Sequence, residues 1–336
     1  MNKLWRPRIV VAGAGSVGCY VGGCLALAGG NVRLLLRPWL AEEIAAHGLR
    51  ITDLEGRDRT LLDGDIKLST EPDALGEADV ILVTVKSAAT AEMAGLIARH
   101  ARPDALVVSL QNGVGNAETL RTRLPGRRVL AGMVPFNVVQ LGKGRFHRGT
   151  EGGLLVESGA SGLLDSLDAD GLNTDEHDDM AAVLWGKLLL NLNNALNALS
   201  GLPLAQELAD RGWRRLLAAS IEESLRVLRR AGIRPQRATR LPPAILPLLL
   251  RLPDPVFAAL ARPMLAVDPE ARSSMWEDLV KGRPTEIDYL QGAIVRLAQQ
   301  VGADAPLARR VMALIRAAEE RRAGPPRLTP GEVWAG

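Results

Sequence analysis

The chain has 336 residues, a formal net charge of +3 and 3% aromatic residues. This length suffices for two domains, and a small charge without long runs of one sign argues against a nucleic-acid-binding protein. The N-terminus lacks a signal-peptide core, and prolines and charged residues interrupt the most apolar later stretch, 241–267, which excludes a membrane span there. Cys19 and Cys24 cannot form a local bridge and show no metal-ligand spacing. We therefore predict a soluble cytoplasmic protein without a metal site and without nucleic-acid or membrane partners.

The first predicted element is a strand–turn–helix–strand unit at the N-terminus. Its turn follows an apolar, β-branched run and comprises Gly13, Ala14, Gly15, Ser16, Val17 and Gly18. This G-x-G-x-x-G pattern is typical of dinucleotide-binding folds. There the first glycine permits the tight turn, the second lets the backbone approach a pyrophosphate, and the third lets the helix pack closely on the strand. The helix start also offers free N–H groups to phosphates. Turns that bind nothing use the same glycines, but the flanking patterns favour a cofactor site.

The residue after the second predicted strand indicates which dinucleotide is bound. An NAD-binding fold has an acidic residue there, about 20 residues past the turn, to bind the ribose 2′-hydroxyl. This chain has Arg37 instead, and no carboxylate follows until Glu42. A guanidinium suits a 2′-phosphate, so the pattern favours NADP(H) over NAD(H). The alternative is that Arg37 is an exposed loop cation without a ligand.

Two further apolar runs, 78–85 and 105–110, are typical of strands buried in a parallel sheet. Each ends in polar residues, Lys86-Ser87 after the first and the loop 111–116 after the second. Open α/β sheets bind ligands at the carboxyl ends of their strands, so we expect a cofactor crevice at this edge. We interpret the strand-like residues 128–156 as the far edge of the sheet, and the polar, acidic span 158–179 as a link between domains.

From Met180 onward the pattern becomes helical. Helices are predicted over 183–200, 204–231, 274–301 and 305–323, and the residues after them are expected to form a loose tail. The predicted organisation is a dinucleotide-binding α/β domain over 1–179, an all-helical domain over 180–323 and a flexible tail over 324–336. We expect a cleft between the two domains.

The first helix of the second half carries an unusual polar stripe. Lys187, Asn191 and Asn194 stand at positions i, i+4 and i+7, which share one helix face. Such a stripe is often the solvated edge of an amphipathic helix. Asparagine is a poor residue for a helix interior, however, and this helix also contains Asn193 and Asn197. Because these asparagines lower the stability of the helix, their presence favours the interpretation that some of their amides bind a ligand.

The segment 272–288 is dense in hydrogen-bond donors and acceptors. Ser273 or Ser274 could cap a helix, and Glu277 would complete a capping box with Ser274. Glu286 and Asp288 lie where another helix could start, a position in which the helix dipole favours carboxylates. By itself this segment does not establish a functional site.

The motifs are distributed over most of the length of the chain. They are GAGSVG at 13–18, VKS at 85–87, QNGVGN at 111–116, WGK with the asparagine-rich helix, and SSMWEDLVKGRPTEID at 273–288. This combination resembles the ketopantoate reductase (2-dehydropantoate 2-reductase) family. The resemblance implies a Rossmann-type α/β domain followed by an all-α C-terminal domain, as in 6-phosphogluconate-dehydrogenase-like proteins. It also implies hydride transfer from NADPH to the 2-oxo carbon of ketopantoate, which yields pantoate for pantothenate and coenzyme A synthesis.

The resemblance also implies roles for individual residues. Lys187 matches the catalytic lysine, whose ammonium polarises the ketone and protonates the developing alkoxide. Glu286 matches a glutamate that holds the substrate hydroxyl and influences Lys187, and Ser274 matches a serine that binds the substrate carboxylate. The predicted substrate-binding residues are Asn112, Asn191, Asn194 and Ser274, and the predicted cofactor-binding residues are Gly13, Ala14, Gly15, Ser16, Val17, Gly18, Arg37, Lys86, Asn112 and Glu286.

One position departs from the family pattern. The second helix asparagine is expected eight residues after the lysine, where this chain has Ala195, so Asn194 is the candidate substitute. This difference leaves open a related NADP-dependent reductase of another 2-oxo or hydroxy acid. A non-catalytic NADP-binding sensor is the alternative from another class. A homodimer is a reasonable expectation for a chain with an extended helical domain.

Overall fold

A computed structural model describes residues 6–160, 162–237, 241–261 and 270–335 of the chain. The chain divides into two compact units, Met1–Met180 and Ala181–Gly336. All strands in the described residues lie in the first unit, and the second unit is helical.

The first unit contains twelve strands and five α-helices among its described residues. The strands are β1 (Arg8–Ala12), β2 (Asn31–Leu35), β3 (Leu49–Asp53), β4 (Asp58–Leu61), β5 (Lys67–Ser69), β6 (Val80–Val83), β7 (Leu106–Ser109), β8 (Val129–Met133), β9 (Val138–Gln140), β10 (Arg145–Arg148), β11 (Leu155–Glu157) and β12 (Asp175–His177). The helices are α1 (Ser16–Leu27), α2 (Pro38–His47), α3 (Thr90–His100), α4 (Asn116–Arg123) and α5 (Leu163–Leu167).

Eight strands form the main sheet in the order β12-β11-β8-β7-β6-β1-β2-β5. Neighbours are parallel from β5 to β8, β11 is antiparallel to β8, and β12 is parallel to β11. In the centre, Val10 of β1 lies opposite Arg33 of β2 and Ile81 of β6. From β1 the chain adds β2 and β5 on one side of the sheet and then crosses to the other side, where β6, β7 and β8 follow. The strand order therefore reverses between β1 and β6, and doubly wound folds bind ligands at such a reversal. The predicted Rossmann-type fold is confirmed.

A second sheet has four strands in the order β4-β3-β10-β9. Helix α1 packs between the two sheets, which explains why it is apolar on almost every face. Its glycines allow this close approach, because a Cβ at Gly22 would lie 2.5 Å from Leu34 Cδ2 and one at Gly23 would lie 2.6 Å from Ile51 Cδ1.

Two predictions for the end of the first unit need correction. Residues 128–156 do not all lie at the far edge of one sheet, because β9 and β10 pair in the second sheet. The span 158–179 is not a polar link, because it contains α5 and β12 and buries Leu163, Leu167 and Leu172 completely. Its acidic residues dominate the composition, but the few leucines between them anchor the segment to the core.

The described residues of the second unit contain ten α-helices. They are α6 (Met180–Asn191), α7 (Asn193–Ser200), α8 (Leu204–Ala209), α9 (Arg211–Arg230), α10 (Leu246–Leu250), α11 (Asp254–Leu260), α12 (Ser274–Val280), α13 (Gln291–Gln300), α14 (Pro306–Arg321) and α15 (Pro330–Trp334). A 3₁₀ turn, Ile287–Tyr289, precedes α13.

Three of the predicted long helices are interrupted. The first breaks at Leu192, and the second breaks at Asp210, whose carboxylate accepts from Gly212 N and Trp213 N and so caps α9. The third ends at Val280 and resumes at α13. At Asp210 a side chain competes for backbone groups although the apolar periodicity continues. After Val280, Gly282 with a φ of 60° and Pro284 interrupt the third helix.

A fully buried arginine organises the proline-rich stretch as far as it is described. The guanidinium of Arg214 donates to the carbonyls of Leu208, Ala209, Leu250 and Leu252 and to the Asp254 carboxylate. It also lies 4.3 Å from the ring centroid of Phe257. Arg214 therefore ties α10 and α11 to α8 and α9. The last part of that stretch, 262–267, lies outside the described residues.

The segment predicted as a loose tail, 324–336, instead packs on the helical unit as far as it is described. Leu328 N donates to Leu199 O at 2.9 Å, Thr329 and Glu332 form a capping box at the start of α15, and Val333 is fully buried.

In the described part of the chain, no helix is long and apolar enough to cross a membrane. The described residues also contain no group of three His, Cys, Asp or Glu side chains that could hold a metal ion.

Candidate functional site

The glycine-rich turn joins β1 to α1. Gly13 has a φ of 79°, and a Cβ there would lie 2.0 Å from Val85 Cγ1. A Cβ at Gly18 would lie 2.5 Å from Thr84 Oγ1. At Gly15 a Cβ would meet no described atom within 4 Å. Packing within the protein therefore explains Gly13 and Gly18, whereas the space beside Gly15 is open to a ligand.

The start of α1 fits an anionic group. Gly15 is the N-cap of this helix and supplies no side chain to its first N–H groups, while the turn itself is held by Gly13 N and Ala14 N, which donate to Leu35 O. Ser16 and Val17 are partly exposed, and Ala14 is buried. An uncapped helix start beside an open glycine is the arrangement that dinucleotide phosphates require.

The structure places two predicted cofactor-binding cations, Arg37 and Lys86, at the same edge of the sheet. Arg37 follows β2, and Lys86 follows β6, the two strands on either side of β1. Both residues are exposed. Parallel strands end at one edge, so both cations lie beyond the carboxyl ends that flank the glycine turn.

The loops after β6 and β7 contain a polar cluster that sequence reasoning missed. Ser87, Thr90, Gln111 and Asn116 are all buried, and they hydrogen-bond to one another and to nearby carbonyls. Asn112, the predicted substrate residue, is exposed, and its carbonyl accepts from this cluster. The QNG and VKS motifs were the available signal, but only the fold shows that they interlock.

In the second unit, Lys187 lies on α6 and is partly buried. Burial lowers the pKa of its ammonium to about 8, and the Glu286 carboxylate opposes this shift. Gly186 beside it packs under the backbone of Gln236, since a Cβ there would lie 1.9 Å from Gln236 O, and Gln236 N donates to Ala182 O. The chain after α9 therefore covers the helix next to Lys187.

The polar stripe of this helix is interrupted. Asn191 ends α6, and Asn194 lies in the first turn of α7. Between them the Leu192 carbonyl accepts from Gln291 Nε2 at 2.9 Å, so a buried side chain enters the helix ladder at the break. Ala195 is fully buried, whereas Asn191 and Asn194 are partly exposed. Position 195 is therefore part of the core, and Asn194 is available to a ligand.

The two serines at the start of α12 have different roles. Ser273 is buried, accepts from Trp276 N and donates to Asn194 O at 2.9 Å. Ser274 is exposed. The capping box predicted for Ser274 and Glu277 is wrong, because Ser273 is the N-cap and Glu277 accepts from Lys281 Nζ. Because its neighbour makes the cap, the Ser274 hydroxyl does not have to serve the helix.

Asn197 holds this serine segment against α7 and was not assigned from sequence. It is fully buried, its Oδ1 accepts from Ser273 N at 2.8 Å, and its Nδ2 donates to Leu202 O and to Glu207 Oε2. Burial raises the pKa of the Glu207 carboxyl to about 8, and the bond from Asn197 opposes this shift.

Glu286 is partly buried and immediately precedes the 3₁₀ turn, where its carbonyl accepts from Tyr289 N at 2.9 Å. Within the second unit, the structure thus relates Lys187 to Glu286 by charge, and Asn194 to the serine segment by a hydrogen bond. The first unit holds the glycine turn, Arg37, Lys86 and Asn112.

Comparison with known proteins matches a family model to each of the two units. The family model "Ketopantoate reductase PanE/ApbA" matches residues 9–160, and the model of the family's C-terminal domain matches residues 179–319. A 2-dehydropantoate 2-reductase of Halobacterium salinarum is 27% identical over 93% of this chain and 99% of its own length.

Two solved structures are similar over most of their length. A PanE/ApbA family ketopantoate reductase from Ralstonia eutropha is 32% identical, with a TM-score of 0.80, over 94% of this chain and 99% of that chain. D-mandelate dehydrogenase, solved with NADH and anilino(oxo)acetate, is 21% identical with a TM-score of 0.77 over 94% and 99%, and shows the same fold. Because the family models match both halves and a solved member is 32% identical over nearly the whole length, the chain belongs to the ketopantoate reductase PanE/ApbA family.

Proposed function

We propose that this protein reduces 2-dehydropantoate (ketopantoate) to pantoate, with NADPH as the reductant, in pantothenate and coenzyme A synthesis. The observation that carries the proposal is Lys187, a partly buried lysine whose pKa is lowered to about 8 and whose charge interacts with Glu286. A perturbed acid next to a carboxylate is typical of catalytic sites. The family and the names of its relatives supply the substrate class.

Lys187 would be the general acid. Its ammonium would donate a hydrogen bond to the ketone oxygen, stabilise the negative charge that develops there and then transfer a proton to it. A pKa near 8 suits this task, because the lysine is mostly protonated at neutral pH and still gives up its proton readily. Glu286 would accept a hydrogen bond from a substrate hydroxyl and favour the protonated form of Lys187.

The cofactor would bind to the first unit. Bound NADPH would supply the hydride. The turn 13–18 and the start of α1 would hold the pyrophosphate, and Arg37 with Lys86 would hold the 2′-phosphate. The exposed guanidinium of Arg37, in a position where an acidic residue would select NAD, supports NADPH over NADH.

The remaining polar residues would orient the 2-oxo acid. Ser274 would donate to the substrate carboxylate, and Asn191 and Asn194 would bind its oxygens from the partly exposed side of α6 and α7. Asn112 would contact the nicotinamide and the substrate. We also propose that Glu286 contacts the cofactor. The protein is further proposed to form a homodimer.

NADPH consumption with ketopantoate, measured beside a panel of other 2-oxo acids, tests the proposal. Fast turnover that is selective for ketopantoate would support both the reaction and the substrate. Selective turnover of another acid would keep the reductase but reassign the substrate. Tight NADPH binding without turnover of any acid would favour a non-catalytic NADP-binding sensor instead. Lys187→Ala should then leave the function of that sensor unchanged.

A further inference from the structure

The buried polar cluster between the loops after β6 and β7 has no part in the proposed chemistry. Ser87 and Thr90 are each 2% exposed, Gln111 is 5% exposed and Asn116 is 6% exposed. Burying four polar side chains next to a ligand-binding edge is costly unless each is hydrogen-bonded. The bonds that they make indicate what the cluster does.

The bonds converge on the backbone of Asn112. Asn116 Nδ2 donates to Asn112 O at 2.8 Å and to Ser87 Oγ at 3.2 Å. Ser87 Oγ in turn donates to Asn112 O at 2.9 Å. The Asn112 carbonyl therefore receives two bonds from buried side chains, one from each loop, and both of its lone pairs are used.

The rest of the cluster closes the network. Gln111 Nε2 donates to Val85 O and to Thr90 Oγ1, and Gln111 Oε1 accepts from Ser109 Oγ. Thr90 Oγ1 lies 3.0 Å from Asn116 Oδ1. Every amide hydrogen of Gln111 and Asn116 thus has an acceptor, and a hydrogen-bond network whose amide donors are all paired holds its members rigidly.

The loop that carries Asn112 needs such support. Gly113 and Gly115 both have positive φ, at 85° and 86°, in the region that glycine adopts most easily. Two glycines give the chain between Asn112 and α4 little stiffness of its own. The bonds from Asn116 and Ser87 supply the stiffness that the backbone lacks.

We propose that Asn116, together with Ser87, is a positioning residue for Asn112. It fixes the Asn112 backbone so that the exposed Asn112 side chain is presented in one place to the nicotinamide and the 2-oxo acid. This inference rests on the proposed function of Asn112, and it adds a residue that touches neither ligand.

Asn116→Asp is the test variant, since it keeps the shape but replaces both donors with an oxygen that faces the Asn112 carbonyl. We expect kcat/KM for the 2-oxo acid to fall about 10- to 100-fold. The NADPH Kd, measured by fluorescence titration, should change less than about 3-fold because the phosphate contacts remain. In the protein without cofactor, amide hydrogen exchange over 112–115 should become at least about tenfold faster. Unchanged exchange would overturn the proposal.

Ser109→Ala is the matched control. It removes one bond of the same network, to Gln111 Oε1, without touching the Asn112 carbonyl. Its kcat/KM should stay within about 3-fold of the wild-type value. Equal losses in Ser109→Ala and Asn116→Asp would contradict a specific role for Asn116. If Asn116→Asp does not fold, Ser87→Ala removes one of the two bonds to Asn112 and should show a smaller loss of the same kind.

A double-mutant cycle with Asn112→Ala separates this inference from the proposed function. If Asn116 acts through the Asn112 side chain, Asn116→Asp should cause no further loss in the Asn112→Ala background. Additive losses would overturn the positioning role while leaving the role of Asn112 intact. Full activity of Asn112→Ala alone would overturn the proposed role of Asn112, and the positioning inference with it.

Discussion

At the scale of single residues, the protonation of Lys187 sets the expected pH dependence. The lysine acts as an acid only when protonated, and burial lowers its pKa to about 8. We therefore expect kcat/KM for ketone reduction to be flat below pH 8 and to fall about tenfold per pH unit above it. Lys187→Ala should lower kcat about 10²- to 10⁴-fold and leave NADPH affinity nearly unchanged. It should also abolish the fall of kcat/KM above pH 8, which is the falling limb of the pH–rate profile. A pH–rate profile from about pH 6 to about pH 10 measures both effects.

Glu286 provides the internal check on that profile. Its carboxylate raises the pKa of Lys187 against the effect of burial, so Glu286→Gln should move the falling limb to lower pH. Asp288→Asn is the matched control, because that carboxylate pairs with Arg316 at 2.5 Å. A limb that stays in place or moves to higher pH in Glu286→Gln would contradict the interaction.

Arg37 is expected to determine the choice of cofactor. A charge-assisted hydrogen bond is worth about 1.5–3 kcal/mol, so Arg37→Asp should weaken NADPH binding at least about 10- to 100-fold and NADH binding much less. Arg33→Asp is the control, since Arg33 lies on β2 shortly before Arg37 and its guanidinium pairs with Glu77 at 2.8 Å. Fluorescence titration with both cofactors measures the ratio of the Kd for NADH to the Kd for NADPH. Equal weakening of NADPH and NADH by Arg37→Asp would exclude a 2′-phosphate contact.

At the scale of elements, two glycines of one turn should respond differently to the same substitution. Gly15→Ala places a methyl group in open space, at a negative φ, and should leave the unfolding free energy almost unchanged while NADPH affinity falls. Gly18→Ala pushes α1 away from Thr84 and Val11 and should destabilise the protein by about 1–3 kcal/mol. Denaturant unfolding and NADPH titration of both variants test this. Loss of stability in Gly15→Ala with normal affinity would reverse the assignment.

The junction of α7 and α12 depends on Asn197. Asn197→Ala leaves the Glu207 carboxyl and Ser273 N buried without this partner, at a cost of about 1–3 kcal/mol for each group. We expect a lower unfolding midpoint and, since Ser274 follows directly, a higher KM for the 2-oxo acid. Asn193→Ala is the control, because Asn193 Oδ1 is buried without a partner among the described residues and removing it should cost little. Equal destabilisation by both substitutions would refute the role of Asn197.

At the scale of the whole molecule, the sequence predicted the parts whose signal is local. Buried parallel strands such as β6 and β7 are continuous apolar runs, and the glycine turn has fixed spacing, so both could be recognised directly. The pairing of β3 with β10 depends on residues nearly a hundred positions apart, and no local pattern encodes it. Arg214 resembles an ordinary helix arginine until the fold surrounds it with carbonyls. Asn197 stands out in the sequence as a helix asparagine, but only the fold shows which groups it binds. The same holds for the tail, whose anchor, Val333, is buried because α15 packs against α9 and α14.

The two units should respond separately to the two ligands of the proposed reaction. NADPH at about 100 times its Kd should stabilise the protein by about 2.7 kcal/mol and slow amide exchange over 13–18, 84–87 and 111–116 in the first unit. A 2-oxo acid added with NADP+ should further slow exchange over 187–194 and 273–280 in the second unit, because the proposed general acid Lys187 and the proposed carboxylate-binding Ser274 lie there. The Arg37→Asp variant is the control, in which the same NADPH concentration should stabilise the protein by about 1.4 kcal/mol or less and protect the first unit correspondingly less. Protection of the second unit's segments by NADPH alone, with no further change from the acid, would mean that Lys187 and Ser274 serve the cofactor rather than the substrate.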